Sequence, residues 1–289
     1  MWGARWQVRW DGEGGNGVRV IDFHLHVGTK DHWNPWLMDY FRVHNPTYTS
    51  RFAENITPEE LIVYLKSQGV HRAVVLSEYA PDSTGVVTNE FTSSFCRGHE
   101  ELIPFGAPCL YSDVPLAEQA ERAVRELGMM GFKMLPTYAH FYPGDPALFP
   151  FYEVARDLGV PLLFHTGTSV FKGSRVKYGD PLLLDEVADE FPDLKIVLEH
   201  GGRPFWYDRA GWMITRHRNV YIGIAGIPAR QLLRHFPHLP KYPERFIFGS
   251  DWPGVPDIRS YVERIQDLEL EPGIIEAILW GNAAQLLGL

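Results

Sequence analysis

The sequence has only two cysteines, Cys96 and Cys109, among its 289 residues. Two cysteines cannot form the disulfide framework of a small secreted domain or a cysteine-ligated zinc cluster, and we expect both to be small residues of the core. The sequence also lacks any run of about 18 or more apolar residues, the length that indicates a transmembrane helix. We therefore expect a soluble, cytoplasmic protein.

Basic residues are too few to give the protein a positive surface: 27 Lys and Arg stand against 36 Asp and Glu, for a formal net charge of −9. Nucleic acids and anionic membranes attract basic surfaces, so neither is an expected partner, whereas a small-molecule substrate is compatible with this charge. Residues 1–17 contain a Gly-Gly-Asn-Gly stretch but no apolar signal core. We expect them to form an irregular N-terminal extension before a domain over residues 18–289.

What the sequence does contain is a regular alternation of strand-like and helix-like segments. Short segments rich in apolar residues predict strands over residues 20–26, 73–77, 102–110, 131–135, 161–166, 195–200, 220–224 and 245–250. Helices are predicted over residues 57–68, 89–100, 116–127, 148–158, 181–191, 205–217, 230–236, 258–268 and 274–287. Strands that alternate with helices pair in parallel through right-handed crossovers. Eight such units predict an α/β fold, a single-domain (β/α)8 TIM barrel with a long loop after strand one, in preference to a doubly wound sheet.

The first predicted strand ends in a His-X-His motif, formed by His24 and His26. Side chains of a strand alternate between its two faces, so we expect Asp22, His24 and His26 on one face and the apolar residues between them on the other. Two imidazoles on one face at the end of a strand are able to bind one cation. The motif alone is weak evidence, because short motifs also occur by chance.

Further ionisable residues follow other predicted strands. Active sites of TIM barrels lie at the C-terminal ends of the strands, and there the sequence places Lys133, His165, His200 and Asp251. Each residue taken singly has an ordinary structural role, as a core histidine, an ion-paired lysine or a capping aspartate. Burying all of them is costly unless they are paired or metal-bound, so their convergence predicts a metal centre. Glu199, directly before His200, is expected to face the helices and to be a poor ligand.

Several motifs of this sequence occur together in a known family. They are the Asp-Phe-His-Leu-His of residues 22–26, the histidine after strand five, the His-Gly-Gly of residues 200–202 and the Gly-Ser-Asp-Trp-Pro of residues 249–253. With the closing Gly-Asn-Ala-Ala of residues 281–284, the sequence resembles the amidohydrolase superfamily from about residue 18 to its end. Within it, the sequence is similar to the amidohydrolase-related (amidohydrolase 2) branch, which includes aminocarboxymuconate-semialdehyde decarboxylase and γ-resorcylate decarboxylase.

The resemblance implies a divalent metal, most often zinc in this branch, bound by His24, His26, His165 and Asp251. It also implies that His200 is the catalytic histidine, which orients or polarises water or substrate. In dinuclear members of the superfamily, a carboxylated lysine on strand four bridges two metals and a strand-six histidine binds the second. Lys133 and His200 are similar to those positions, so two ions are possible, but one ion is favoured because the branch is mostly mononuclear.

These residues predict an enzyme, and two reactions remain open. Zinc in such a site lowers the pKa of bound water toward about 7, and Asp251 would accept the proton and return it to the leaving group. This predicts a metal-dependent hydrolase in which the activated water attacks a small amide, ester or lactone, and we place this reaction first. The alternative is a carboxy-lyase, a non-oxidative decarboxylase of a small aromatic or unsaturated carboxylic acid, which needs the same metal ligands.

The loops above the strands contain candidate substrate-binding residues. Arg203 lies nearest to His200 in sequence and is the first choice for binding a substrate carboxylate. The aromatic residues of the insertion over residues 28–55 predict either a lid on the site or a layer packed on the barrel or on another subunit of a homo-oligomer. We expect the cations Lys172, Arg175 and Lys177 to lie on a solvated loop. Tyr138 and His140 are weaker candidates for the site.

Two further classes of protein are disfavoured. A metal-dependent nuclease of the same barrel type usually has an acidic residue where this sequence has Lys133, and it would not suit a net charge of −9. A barrel kept only for binding or structure would have little reason to bury so many ionisable groups. The sequence therefore predicts a metal-dependent enzyme with a small-molecule substrate.

Overall fold

A computed structural model describes residues 18–289, and the N-terminal extension predicted over residues 1–17 lies outside the described residues. Strands and helices alternate along the described chain, as expected for a (β/α)8 barrel. We number the barrel strands β1 (Ile21–His26), β2 (Arg72–Leu76), β3 (Leu102–Phe105), β4 (Phe132–Met134), β5 (Leu162–His165), β6 (Ile196–Glu199), β7 (Val220–Gly223) and β8 (Phe246–Ile247).

The eight strands close into a ring. Strands β1 to β3 pair in parallel as one sheet and β4 to β8 as another. Parallel bridges from Gly106 to Phe132 and from Leu25 to Trp252 join the two sheets. Across the second junction the N–H of His26 donates to the carbonyl of Trp252 at 2.8 Å. The predicted barrel is therefore confirmed, and the C-terminal ends of all its strands lie at one rim.

Helices surround the barrel. The α-helices span Pro35–His44, Pro46–Arg51, Pro58–Ser67, Asn89–Cys96, Leu116–Arg125, Pro136–Ala139, Phe149–Asp157, Asp185–Glu190, Tyr207–Arg216, Leu232–His235, Ile258–Gln266, Pro272–Glu276 and Asn282–Leu287, with a π-helical turn over Ala277–Gly281. Thr57 caps the third helix, because its hydroxyl oxygen accepts a hydrogen bond from the N–H of Glu60. Among the described helices, none combines the length and the apolarity that crossing a bilayer requires.

The insertion after β1 is more ordered than predicted. Residues 28–55, predicted to be a long loop, contain the helices Pro35–His44 and Pro46–Arg51. Both helices begin at a proline, which suits the first helical position, and the side-chain oxygen of Asn45 caps the second by accepting from the N–H of Tyr48 at 3.0 Å. These start signals were present in the sequence.

Two other parts of the fold differ from the prediction. Strand β8 is limited to Phe246–Ile247, because the N–H of Phe248 donates to the carbonyl of Ile278 in the π-helical turn and not to β7. A two-stranded antiparallel hairpin, Glu78–Ala80 with Gly85–Val87, follows β2 and was not predicted. The cysteines also differ from each other, since Cys96 is buried and Cys109 is only partly buried.

The first strand does not alternate as predicted. The pairing of β1 with β2 shifts register between Asp22 and Leu25, which is a β-bulge. Below the bulge, Ile21 and Phe23 pack with the inner residues of the other strands, whereas Leu25 packs in the outer layer under the helices. The Asp22 carboxylate accepts from the N–H of Ser250 at 2.8 Å and therefore binds the end of β8. Asp22 thus does not share the role of the histidines that follow it.

Candidate metal centre

Three side chains from the two ends of the chain meet at the rim of the barrel. The Nε2 atoms of His24 and His26 lie 2.9 Å apart at the end of β1. Asp251, which follows β8, places its Oδ1 atom 3.5 Å from Nε2 of His24 and 3.7 Å from Nε2 of His26. Imidazole and carboxylate groups are common ligands of zinc and of other first-row divalent metals.

Two further histidines adjoin this group. The His200 ring lies 5.2 Å from the His24 ring and 4.9 Å from the His165 ring, measured between centroids. The ligand atoms of His24, His200 and Asp251 all lie within 4.8 Å of one another. Within residues 18–289, Nε2 of His165 is buried and has no hydrogen-bond partner. A buried nitrogen without a partner is costly, and a metal ion would satisfy it, so these residues fit a metal ion.

The backbone turns sharply at two of these residues. His200 and Asp251 have positive φ angles of 65° and 66°, which are uncommon for residues other than glycine and are concentrated at functional sites. Strand β6 ends at Glu199 with that side chain facing inward, so regular alternation would turn His200 outward. The left-handed conformation instead returns the His200 side chain to the interior of the barrel.

Glu199 faces the site, and the prediction that it faces the helices is wrong. The inner residue Val197 lies two positions earlier on β6, and alternation therefore also places Glu199 inside. Glu199 is fully buried, and its Oε2 atom lies 3.1 Å from Nδ1 of His24. The correct face could have been found by counting from the apolar residues of β6 and not from His200.

A second buried carboxylate lies behind the other histidine of β1. Oε2 of Glu78, in the hairpin after β2, is 3.1 Å from Nδ1 of His26, and the Thr84 hydroxyl donates to the other oxygen of Glu78. Carboxylates in this position orient a metal-binding histidine and fix its proton on Nδ1. Glu78 is not among the predicted site residues, because the hairpin that carries it was not predicted.

Lys133 also reaches the site. Its side chain is buried, and Nζ lies 3.2 Å from Nε2 of His24. Burial lowers the pKa of the Lys133 amine, while the negative charge of Glu199 opposes this effect. The single metal ion stays a prediction, and two ions with a carboxylated Lys133 stay the alternative to it.

Burial controls the charge of the other groups at the site. It lowers the pKa of His24, His165 and His200 well below the usual range; the charge of Lys133 adds to this effect at all three, and that of Arg203 at His165 and His200. The imidazoles are therefore neutral, the form that binds metals. Burial raises the pKa of Glu199 to about 7. It also raises the pKa of Asp251, against the positive charge of Arg203.

A cavity of about 420 Å³ opens above these residues. It is lined by the six ionisable residues predicted for the site, namely His24, His26, Lys133, His165, His200 and Asp251. Its other lining is mostly apolar or aromatic and includes Trp33, Leu37, Tyr40, Phe41, Tyr138 and Phe171. Arg203 also lines the cavity, with Nη2 4.0 Å from Oδ2 of Asp251 and with Nη1 donating to the carbonyl of Gly226.

The insertion after β1 contributes residues both to the lining of the cavity and to packing on the barrel. Trp33, Tyr40 and Phe41 line the cavity. Tyr48 is instead fully buried, and its ring packs against the ring of Trp252 at a centroid distance of 5.3 Å. The insertion therefore forms part of the wall of the site and is also anchored to the barrel.

The weaker candidates for the site differ in whether they line the cavity. Tyr138 lines the cavity with its ring 4.7 Å from that of His165. His140 does not line it, and its Nε2 atom lies 2.7 Å from the carbonyl of Gly173. The three loop cations are exposed and lie outside the lining, as expected for a solvated loop: Lys172, Arg175 and Lys177.

The sequence matches the amidohydrolase family over residues 21–289. Three solved structures are similar over nearly their whole length. An uncharacterised TIM-barrel protein, Bb4693 from Bordetella bronchiseptica, is 22% identical, with 93% of this chain and 98% of that chain covered and a TM-score of 0.77. A dihydroxybenzoic acid decarboxylase from Polaromonas sp. JS666 was solved with bound manganese and the inhibitor 2-nitroresorcinol. It is 19% identical, with 94% of this chain and 97% of that chain covered and a TM-score of 0.71.

The third structure is a probable 2-pyrone-4,6-dicarboxylic acid hydrolase from Acinetobacter baumannii with citric acid bound. It is 16% identical, with 94% of this chain and 100% of that chain covered and a TM-score of 0.67. Other similar structures include decarboxylases of 5-carboxyvanillate and of 2,6-dihydroxybenzoate. At these identities the likeness shows the shared TIM-barrel fold.

Proposed function

The chain belongs to the amidohydrolase family, and on this premise we propose that it is a metal-dependent enzyme that acts on a small carboxylic acid. The observation that carries the proposal is the position of Arg203 and Lys133, two cations that line the same cavity as the candidate metal ligands. Cations of this kind attract an anionic substrate and bind its carboxylate through charge-assisted hydrogen bonds.

The candidate ligands are Nε2 of His24, Nε2 of His26, Nε2 of His165 and the carboxylate of Asp251. When bound, a divalent cation supplies Lewis-acid charge that polarises a substrate oxygen or acidifies water. Zinc is the ion that the sequence resemblance implies, and manganese is the ion bound in the Polaromonas relative. We favour one ion, because the buried amine of Lys133 occupies space beside His24.

The cavity walls favour a flat, apolar body for the substrate. Aromatic side chains such as Trp33 and Tyr40 pack well against rings and conjugated chains. With the carboxylate at Arg203 or Lys133, such a body would lie along the aromatic wall. The substrate class is therefore a small aromatic or unsaturated acid.

Decarboxylation is the reaction that this substrate class favours. Asp251 would deliver a proton to the carbon that bears the carboxylate, because it lines the cavity beside His24 and His26. The bond between that carbon and the carboxylate then breaks, its electrons remain on the substrate and carbon dioxide leaves. Asp251 recovers its proton from solvent.

Hydrolysis of an amide, ester or lactone is the second candidate, favoured by the position of His200. The Nδ1 atom of His200 lies 2.8 Å from the carbonyl of Ala225, which holds the proton on Nδ1 and leaves Nε2 as an acceptor. Asp251 would accept a proton from water as the water attacks the carbonyl carbon, and would return it to the leaving oxygen or nitrogen. Arg203 would then bind a carboxylate elsewhere on the substrate.

A paired screen tests the proposal. The protein is loaded with Mn²⁺ or Zn²⁺ and incubated with hydroxybenzoates and unsaturated acids, with carbon dioxide release as the measurement. Esters and lactones of the same acids are followed by a pH indicator and amides by the amine released, and the His200→Ala variant is the control. We expect turnover of one class that a chelator abolishes and that His200→Ala reduces. Turnover that survives both the chelator and the substitution would contradict the proposal.

A further inference from the structure

The carboxylate of Glu199 contacts two different residues of the candidate site, His24 and His200. Oε2 of Glu199 lies 3.1 Å from Nδ1 of His24. The other oxygen, Oε1, accepts from the N–H of His200 at 3.0 Å and from the N–H of Ala225 at 3.2 Å. Glu199 is fully buried at the end of β6, so these groups are its immediate polar surroundings.

In the described part of the chain, the contact between Nδ1 of His24 and Oε2 of Glu199 is the only polar contact of either atom. Nδ1 of His24 and Oε2 of Glu199 are both buried, and neither forms a hydrogen bond with any other described group. An ionised carboxylate accepts hydrogen bonds and does not donate them, so in this form Glu199 holds the proton of His24 on Nδ1. Nε2 of His24 is thereby kept without a proton, the form that would be able to bind a metal ion.

The contacts of Oε1 fix the position of His200. The N–H of His200 belongs to a residue with a φ of 65°, a conformation that needs support from its surroundings. The N–H of Ala225 belongs to the same residue whose carbonyl lies 2.8 Å from Nδ1 of His200. Glu199 therefore holds both the backbone of His200 and the residue that orients the His200 ring.

Gly223 provides the space for this carboxylate. It pairs with Glu199 across β6 and β7, and a Cβ atom at Gly223 would lie 2.5 Å from both carboxylate oxygens of Glu199. Real Cβ atoms do not approach so closely, so a side chain there would displace the carboxylate.

We propose that Glu199 is a positioning residue that orients the metal ligand His24 and the catalytic candidate His200 together, in space that Gly223 leaves open. Glu78 differs, because it lies against His26 but makes no contact with His200 among the contacts of the described residues. The proposal rests on the metal site of the proposed function, and its test includes a measurement that needs neither metal nor substrate.

The first measurement is the affinity for Mn²⁺ alone, by competition with a chelator. In Glu199→Gln, the amide oxygen is able to keep the backbone contacts, but the amide N–H groups face Nδ1 of His24 and turn its proton to Nε2. We expect an affinity about 10- to 100-fold weaker than that of the wild type, the usual effect of losing such a partner. Glu78→Gln is the matched variant at His26 and should weaken Mn²⁺ binding similarly. An unchanged affinity in Glu199→Gln would overturn the proposal.

The second measurement is the NMR spectrum of metal-free protein labelled with ¹⁵N-histidine, which reports the tautomer of each imidazole. Glu199→Gln should move the proton of His24 to Nε2 and leave His200 unchanged. Glu199→Ala, which removes both contacts, should change His24 and His200, whereas Glu78→Gln should change His26 and not His200. A His200 signal unchanged in Glu199→Ala, or a His24 tautomer unchanged in Glu199→Gln, would overturn the assignment.

Gly223→Ala tests the same proposal without altering Glu199, in case the Glu199 variants do not fold. It should weaken Mn²⁺ binding and shift the His24 signal. Gly211→Ala is the matched control, because a Cβ atom there would lie 3.8 Å from its nearest neighbour, an ordinary contact. Wild-type behaviour of Gly223→Ala would overturn the proposal. If the wild-type protein bound no metal, the proposed function would fail, while the histidine spectra would still decide the role of Glu199.

Discussion

The amine of Lys133 lies 3.2 Å from Nε2 of His24, the nitrogen that the candidate metal centre needs. A protonated amine at this distance repels a divalent cation, whereas a carboxylated lysine would help to bind a second one. The charge and modification of Lys133 therefore decide how many ions the site holds.

Lys133→Met separates these two possibilities. With an unmodified lysine, removal of the buried cation should tighten Mn²⁺ binding by about tenfold or more, because charges a few ångströms apart interact strongly at a buried site. Metal analysis should give one ion per chain in both proteins. Two ions in the wild type and fewer in the variant would show the two-ion arrangement instead.

His165→Ala should abolish metal-dependent turnover. The Nε2 atom of His165 is buried without a hydrogen-bond partner among the described residues, so its removal breaks no hydrogen bond of that atom and should leave the barrel folded. Metal content, turnover and circular dichroism are the measurements. Wild-type turnover in the variant would contradict the assignment of His165 as a ligand.

His200→Ala should retain its metal and lose its activity. If His200 acts as acid, base or oxyanion partner, turnover should fall by about 10²- to 10⁴-fold, while the ligands His24, His26, His165 and Asp251 remain. The metal content of the purified variant is measured beside its turnover. A metal content reduced by half would indicate instead that His200 binds a second ion.

Arg203→Met should weaken substrate binding without loss of metal. The loss of a charged hydrogen bond to a carboxylate should raise KM by about tenfold to a hundredfold. Arg175→Met is the matched control, because Arg175 is exposed on the loop after β5 and does not line the cavity. Equal effects of the two substitutions on KM would argue against a specific role for Arg203.

The cysteines test the packing of the fold. Burial raises the pKa of Cys96 to about 12, so its thiolate is scarce at neutral pH, whereas Cys109 is partly exposed. A thiol reagent should therefore react readily with one cysteine per native chain and with both after denaturation. Rapid reaction of both cysteines in the native protein would contradict the packing around Cys96.

The sequence was sufficient to predict the barrel and to select six ionisable residues that the fold brings to one cavity. These predictions depend on local patterns: apolar strands, helix start signals and reactive residues at strand ends. The ligand and catalytic roles of these residues stay predictions. The two helices of residues 28–55 had readable signals, with a proline at each start.

The missed features depend on contacts between distant parts of the chain. The bulge that separates Phe23 from the outward Leu25 forms only when β1 pairs with β2. The segment that forms the hairpin carrying Glu78 has no strong local sequence pattern. The left-handed backbone of His200 breaks the alternation on which the assignment of Glu199 to the outer face was based. Side-chain direction at the ends of strands was therefore the least predictable property of this site.

The most direct test of the metal centre is anomalous X-ray diffraction from crystals of the protein soaked in Mn²⁺. We predict a single anomalous peak within coordination distance of four groups: Nε2 of His24, Nε2 of His26, Nε2 of His165 and the carboxylate of Asp251. No peak at this position under conditions where the crystals diffract well, or a peak bound only by other residues, would contradict the account.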